Sequence, residues 1–210
     1  NGALGAMYGN PNAGGRGLVK VSPLIWKAPF WHAEDTRRTT MTSQSGTGVF
    51  TEKYPDRVTY SDPNPILRFS EVVLNAAEAN AQLGNLDVAV TLLNSVRDRA
   101  LPDTVPSFTA AGLGGQAGVL TAIYQERRIE FLAEGKRWFD IHRLSGAGVM
   151  DGIPAKAQSR GITNIDFYTT SRTVPTDHAI EYSSHLFIWP IPLEEIQTNA
   201  TAPIDQNPGY

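Results

Sequence analysis

Three glutamates, Glu126, Glu130 and Glu134, recur at i, i+4 and i+8 in the run ERRIEFLAEGKR, a spacing that puts them on one face of a helix. Two carboxylates held about 5–5.5 Å apart could serve a retaining glycosidase as nucleophile and general acid. The general acid needs a raised pKa. Arg127, Arg128 and Arg137 lie in the same run and favour the ionised carboxylate instead. The residues therefore read as a structural ion network of Glu126, Arg127, Glu130, Glu134, Arg137, Asp140 and Arg143, and no catalysis is expected of them. No HExxH, GxSxG, GxxxxGK or strand-to-helix GxGxxG occurs. His32, His142, His178 and His185 are scattered, with no pair at metal-ligand spacing. The absence of cysteine excludes disulfides, thiolate metal sites and cysteine nucleophiles. No cofactor is expected, although a calcium held by loop carbonyls and carboxylates would leave no motif.

Sugar binding is the other chemistry to weigh. Sugar rings stack their apolar faces on Trp and Tyr while polar side chains bond the hydroxyls. In SPLIWKAPFWHAEDTRR, Trp26 and Trp31 are spaced five apart in a Pro-flanked loop beside Lys27, His32 and Glu34, and they are the first candidates for a platform. Tyr54, Tyr60, Phe167 and Tyr168 stand behind them. The competing reading is that these aromatics plug the loop onto the core. Trp138 and Trp189 are expected to be packed, and the sequon Asn199-Ala200-Thr201 reads as a chance match.

The elements that must position these residues follow from periodicity. Val119 to Leu144 reads as a central, buried helix whose charges tie neighbouring segments together; Gly135 marks a kink or junction, after which Lys136 to Leu144 buries Trp138, Phe139 and Ile141. Ile66 to Leu83 is a helix with Ile66, Phe69, Val73, Ala76 and Ala77 on one face; Leu83-Gly84-Asn85 ends it. A second helix runs from Leu86 to Arg99, and so short a turn makes the two antiparallel. Residues 1–63 are loop-rich, with short strands expected at Gly17 to Val21 and Gly48 to Glu52. Residues 101–118 form a surface excursion. Residues 146–210 are irregular, with a short strand at His185 to Ile188, a helical turn at Glu194 to Gln197 and a type II turn at Asn207-Pro208-Gly209.

With 210 residues, 41% hydrophobic, 19% charged and a net charge of −3, the chain fits one domain with a real core. No basic patch argues for nucleic acid, and no apolar run reaches the ~20 residues needed to cross a bilayer. The opening NGALGAMYGNPNAGG has neither the basic start nor the apolar core of a signal peptide.

Three stretches carry a family resemblance: ERRIEFLAEGKRWFDIHR, PILRFSEVVLNAAEANAQLG and the closing FIWPIPLEEI…QNPGY. In their order along the chain, 65–84, then 126–143, then 187–210, they resemble the SusD/RagB family of outer-membrane glycan-binding lipoproteins. Asp35, Arg37 and Arg38 resemble a family Asp-x-Arg feature, read here as a loop-fixing salt bridge. The resemblance implies a mostly α fold of tetratricopeptide-like helical hairpins with long irregular loops and a few short strands. It further implies that residues 1–210 are a C-terminal domain, divided into 1–63, a hairpin at 64–100, central helices at 119–145 and a segment at 146–210. The expected partners are an oligosaccharide or polysaccharide, a SusC-like TonB-dependent porin and an absent N-terminal half, with lipid anchoring at the cell surface and nutrient uptake as the role. The alternative is a helical-repeat protein-interaction scaffold with no sugar site.

Overall fold

The computed structural model describes residues 4–199 and 202–210. In chain order its elements are α1 (Leu4–Tyr8), α2 (Pro23–Trp26), α3 (Arg37–Thr40), β1 (Thr42–Ser45), β2 (Gly48–Thr51), α4 (Phe69–Gln82), α5 (Leu86–Arg97), α6 (Gln116–Glu130), α7 (Lys136–Gly146), β3 (Gly152–Ile153), α8 (Asp166–Thr169), β4 (Ile180–Glu181) and α9 (Leu193–Thr198). The fold is mostly α, with long loops and two small antiparallel sheets, β1–β2 and β3–β4.

The helix α4 ends where Gly84 takes a φ of +82°, a conformation that side chains with a Cβ disfavour, and the chain returns as α5. Ala77, Ala81 and Ala89 are wholly buried between the two helices, so small side chains let the backbones approach closely. Across both lies α6, which adds Val119, Ala122 and Ile123 to the Leu74 and Leu93 core, with Phe131 closing the end. The buried row of α4 is Ser70, Leu74, Ala77 and Ala81; of the expected face, Ala77 is in it and Val73 packs against the core. Ile66 precedes the helix and Phe69 only opens it; both are exposed, at 84% and 81%.

A second core gathers the loop-rich N-terminal stretch and the region after residue 160 around Ile129 of α6: Val21, Trp26, Trp31, Val49, Ile162, Phe167 and Tyr168. The expected strand at Gly48 to Glu52 forms as β2, in register with β1 through Thr42↔Thr51. The expected strand at Gly17 to Val21 does not form; its link to β2 is the Val21 amide donating to the Val49 carbonyl at 2.8 Å.

Between α6 and α7 the chain breaks at Ala133 and Gly135, both left-handed at φ +64° and +77°. Ala133 pays for that conformation through its carbonyl, which accepts from the buried Tyr54 hydroxyl at 3.0 Å. Of the kink or junction expected at Gly135, the structure has the junction: α6 ends at Glu130 and α7 starts at Lys136. Ion pairs Lys136–Glu71 and Arg143–Glu78 tie α7 along α4. It buries Ile141 and Leu144 but leaves Phe139 70% and Trp138 37% exposed, contrary to expectation; the segment at Phe187 to Trp189 covers Trp138 only in part. His185–Phe187 is a 3-10 turn and not a strand, since Ser184 caps it and Pro190 and Pro192 follow. The Tyr210 amide reaches the Asn207 carbonyl with Gly209 at φ +94°, as a type II turn requires.

Candidate functional site

The glutamate stripe meets cations from four separate segments. Arg37, in the first turn of α3, donates from Nη1 to Glu126 Oε1 at 2.5 Å and to Glu130 Oε2 at 3.0 Å, and from Nη2 to Asp35 Oδ2 at 2.7 Å. Arg68 donates to Glu130 at 2.8 Å and to Glu134 at 2.9 Å. Arg99 also donates to Glu130, and Lys53 to Glu134. On another face of α6, Arg127 pairs with Asp140 at 3.0 Å and donates to Asn75, while Arg143 joins Asp140 to Glu78. Asp35 and Arg37 were legible only as a local salt bridge; their reach to α6, about ninety residues on, was not.

These contacts decide the electrostatics. Burial opposes the charge on Glu130, but hydrogen bonds from Arg99 and Arg68 outweigh it and hold the carboxyl down at about 2. Burial also opposes the charge on Arg37, yet Asp35 and Glu126 hold that guanidinium above its ordinary range. Glu126 is pushed up because burial outweighs its sharing of Arg37. It nevertheless sits in the interior, 5% exposed, with Arg37 on both carboxylate oxygens. A cleft of about 300 Å³ does border Glu130 and Glu134, but Lys53, Arg68 and Arg99 line it as well, so neither carboxylate is free to donate a proton. We expect no release of reducing ends from any glycan incubated with the pure protein; products that vanish in Glu126→Gln would overturn this.

The first aromatic candidates are packed. Trp26 is 8% and Trp31 2% exposed, edge to face at 5.4 Å, with the Arg38 guanidinium over both rings and donating to both carbonyls. The neighbours that suggested sugar contacts fix the loop: Lys27 donates to the carbonyls of Thr170 and Arg172, and His32 Nδ1 accepts the Glu34 amide. Tyr54 and Tyr168 are buried, each donating to a backbone carbonyl, Phe167 is buried, and Tyr60 is half-buried with its hydroxyl on Gly14. The platform expected at Trp26, Trp31, Tyr54 and Tyr168 is corrected by this burial; their rings present no free face.

The exposed aromatics lie elsewhere. Trp189 is 75% exposed, with its ring centroid 6.4 Å from that of Trp138. Trp138 rests on the buried Phe187, which also touches His142 and Tyr182. The Trp189 backbone is held: Asn207 donates to its carbonyl at 2.7 Å, and the Gln206 side chain pairs with both backbone groups of Ile191. A rigid backbone carrying an uncovered indole on an aromatic floor is the arrangement that stacking needs. The only sequence signal for it was Pro-Ile-Pro after Trp189, which equally suggests packing.

A groove of about 550 Å³ opens at Trp138, walled by Val19, Leu24, Ile141 and Ile153 and bordered by Arg128 and Arg137. Arg137 was expected to have a carboxylate or backbone partner. Its polar contact is instead Met150 Sδ at 3.9 Å, because Asp140, one turn on, is taken by Arg127 and Arg143. Among the described residues no His, Asp and Glu cluster could hold a metal ion. Nor, among the described residues, is any helix long and apolar enough to cross a membrane. Ala200 and Thr201 of the sequon lie outside the described residues.

Comparison with known proteins adds a family. The model described as the SusD family matches residues 28–210. SusD-like protein P38 of Formosa agariphila is 38% identical over 106 residues, which are 47% of this chain and 21% of that protein. SusD-like protein P25 of the same organism is 30% identical over 143 residues, 68% of this chain and 24% of that protein. A solved SusD superfamily protein from Bacteroides fragilis superposes with a TM-score of 0.63 at 26% identity, over 83% of this chain and 35% of its own. A Bacteroides vulgatus structure, described as a candidate sugar binding protein, gives 0.59 at 29% identity over 85% and 36%. The chain thus spans between about a fifth and about a third of these relatives' lengths.

Proposed function

This chain belongs to the SusD family, and from that premise we propose that it forms the C-terminal domain of a surface glycan-binding protein. In this reading the whole protein is lipid-anchored at the outer membrane, captures an oligosaccharide and passes it to a SusC-like TonB-dependent porin. The mechanism is binding without bond cleavage, in keeping with a glutamate stripe whose members Glu126, Glu130 and Glu134 are each held by cations. The likeness to a solved protein described as a candidate sugar binder supports the ligand class.

The observation that carries the reading within this chain is Trp189 uncovered beside Trp138. Glycan arrays with the full-length protein identify a ligand, and calorimetry then compares Trp189→Ala with the unmodified protein. The expected loss is about tenfold or more, since ~1.4 kcal/mol is one decade. The melting temperature should hold, because an exposed ring contributes little to the core. Unchanged affinity removes Trp189 from the binding surface.

A second reading, a protein-interaction scaffold without a sugar site, draws on a different face. Ile66, Leu67, Phe69, Val72 and Leu83 are all exposed along and just before α4, a larger apolar stripe than isolated surface residues make. Absence of any array signal, with a stable complex formed through that stripe, favours the scaffold.

A further inference from the structure

Arg128 and Arg137 face the groove with no acid opposite them. Among the described residues neither takes part in an ion pair; Arg128 stacks over Phe30 at 5.1 Å and Arg137 meets Met150. The remaining residues, Asn1, Gly2, Ala3, Ala200 and Thr201, include no carboxylate side chain that could serve. Lys20 and Lys156 also line the groove, while its one carboxylate, Asp140, is already shared by Arg127 and Arg143. Burial depresses both unpaired guanidinium groups, and for Arg137 the nearby Arg128 adds to the effect, bringing it down to about 10. Like charges half-removed from water are costly unless an anion joins them.

The walls say what carries that anion. A sugar needs hydroxyl partners around its ring, whereas the walls here are chiefly aliphatic, with Val19, Leu24, Ile141 and Ile153 outweighing the few hydroxyls of Tyr8, Ser22 and Thr51. An aliphatic groove ending in a pair of guanidinium groups suits a peptide segment with an apolar side chain followed by an acid; two guanidinium forks can each hold one carboxylate oxygen or share both. The matched solved proteins have about two thirds of their length outside the region this chain covers, so a source of such a segment exists in the family.

We propose that the groove receives a segment from the part of a full-length SusD-family protein that lies beyond these residues, its Asp or Glu carboxylate set between Arg128 and Arg137 and its apolar side chain against Leu24 and Ile153. This rests on the reading that the chain works within a longer polypeptide; it does not depend on which glycan is bound.

The test compares Arg137→Gln in two settings by thermal unfolding and hydrogen exchange. In the 210-residue chain the substitution removes one of two repelling cations, so the melting temperature should stay or rise. In the full-length protein it removes half of a buried clamp, so the melting temperature should fall and amides in residues 19–25 and 153–157 should exchange faster. The same response in both settings overturns the proposal. If full-length Arg137→Gln does not fold, the unmodified proteins decide: amides of residues 19–25 must exchange more slowly in the full-length protein than in the 210-residue chain, and equal rates overturn it. Trigalacturonate probes the other source of a carboxylate. If it raises the melting temperature of the full-length protein but not of its Arg137→Lys variant, the groove is an acidic-sugar site and the proposal fails. Glycan affinity measured on Trp189→Ala is a separate readout, so failure of the groove and failure of the sugar platform are distinguishable.

Discussion

Arg37→Leu is expected to leave the chain largely unfolded at pH 7 and to let it regain structure on acidification. Arg37 is the shared cation of Asp35, Glu126 and Glu130, all 5% exposed or less. After the substitution Glu130 keeps Arg68 and Arg99, but Asp35 and Glu126 keep no ion-pair partner. Each buried charge stranded in this way costs about 3–5 kcal/mol. Two together approach the whole stability of an ordinary domain, about 5–15 kcal/mol. The pH response identifies the cause. Stranded carboxylates in the interior have raised folded-state pKa values, so their penalty is present above that raised pKa. It disappears as pH falls through it towards the unfolded value, near 4 for Asp and Glu. Circular dichroism at 222 nm between pH 7 and pH ~4 is the measurement. Arg37→Lys, which keeps the charge but loses the planar fork, should fall between the variant and the parent. A variant that melts like the parent at pH 7, or one that is equally unfolded at every pH, would falsify the role given to this arginine.

Local features of the fold were legible because their causes are local. Gly84 stops α4 through its own backbone freedom, and the turn it makes is too short for anything but an antiparallel return. The charged members of α6 were legible as a network because a helix so apolar on most sides cannot hold isolated ions. What was not legible depends on elements distant in the chain. Ile66 and Phe69 continue an apolar periodicity as regular as that of the buried row, and periodicity alone could not tell where the helix would begin or which side α6 would cover. Trp138 and Phe139 read as core for the same reason, yet Phe139 is exposed and Trp138 is covered only in part, by Phe187 and Trp189. Trp26 and Trp31 could be read as a platform or as a plug on the core; the burial bears out the plug, and the polar residues around them bond backbone carbonyls and amides of the loop. Arg137 shows the limit from the other side: it was counted in the ion network, and that Arg127 and Arg143 take Asp140 could be seen only in three dimensions.

Glu130→Ala should lower the melting temperature by about 6–12 °C at pH 7, and the deficit should shrink as the pH is lowered. Its Oε1 accepts from Arg68 and Arg99 and its Oε2 from Arg37, so the substitution removes a carboxylate shared by three cations. Those cations are not left equally exposed to the loss. Arg37 retains Asp35 and Glu126, Arg68 retains Glu134, and the half-exposed Arg99 can turn to water. The cost therefore belongs at the lower end of the range for a broken buried pair, about 3 kcal/mol, and each kcal/mol moves the midpoint of a chain this size by about 2–4 °C. The titration of Glu130 gives an independent figure. Burial raises its pKa, but Arg99 and Arg68 lower it further, from 4.5 to about 2. A depressed folded-state pKa means stability that is fully present above the unfolded value and lost as pH falls through the folded one. Here the window runs from 4.5 down to about 2, a difference worth on the order of 3 kcal/mol. Parent and variant should thus differ fully at pH 7 and converge towards pH ~2, while Glu130→Gln, which keeps the shape without the charge, should follow the same pH course. A deficit that stays constant across the window would mean that Glu130 acts by filling space and not by pairing charge.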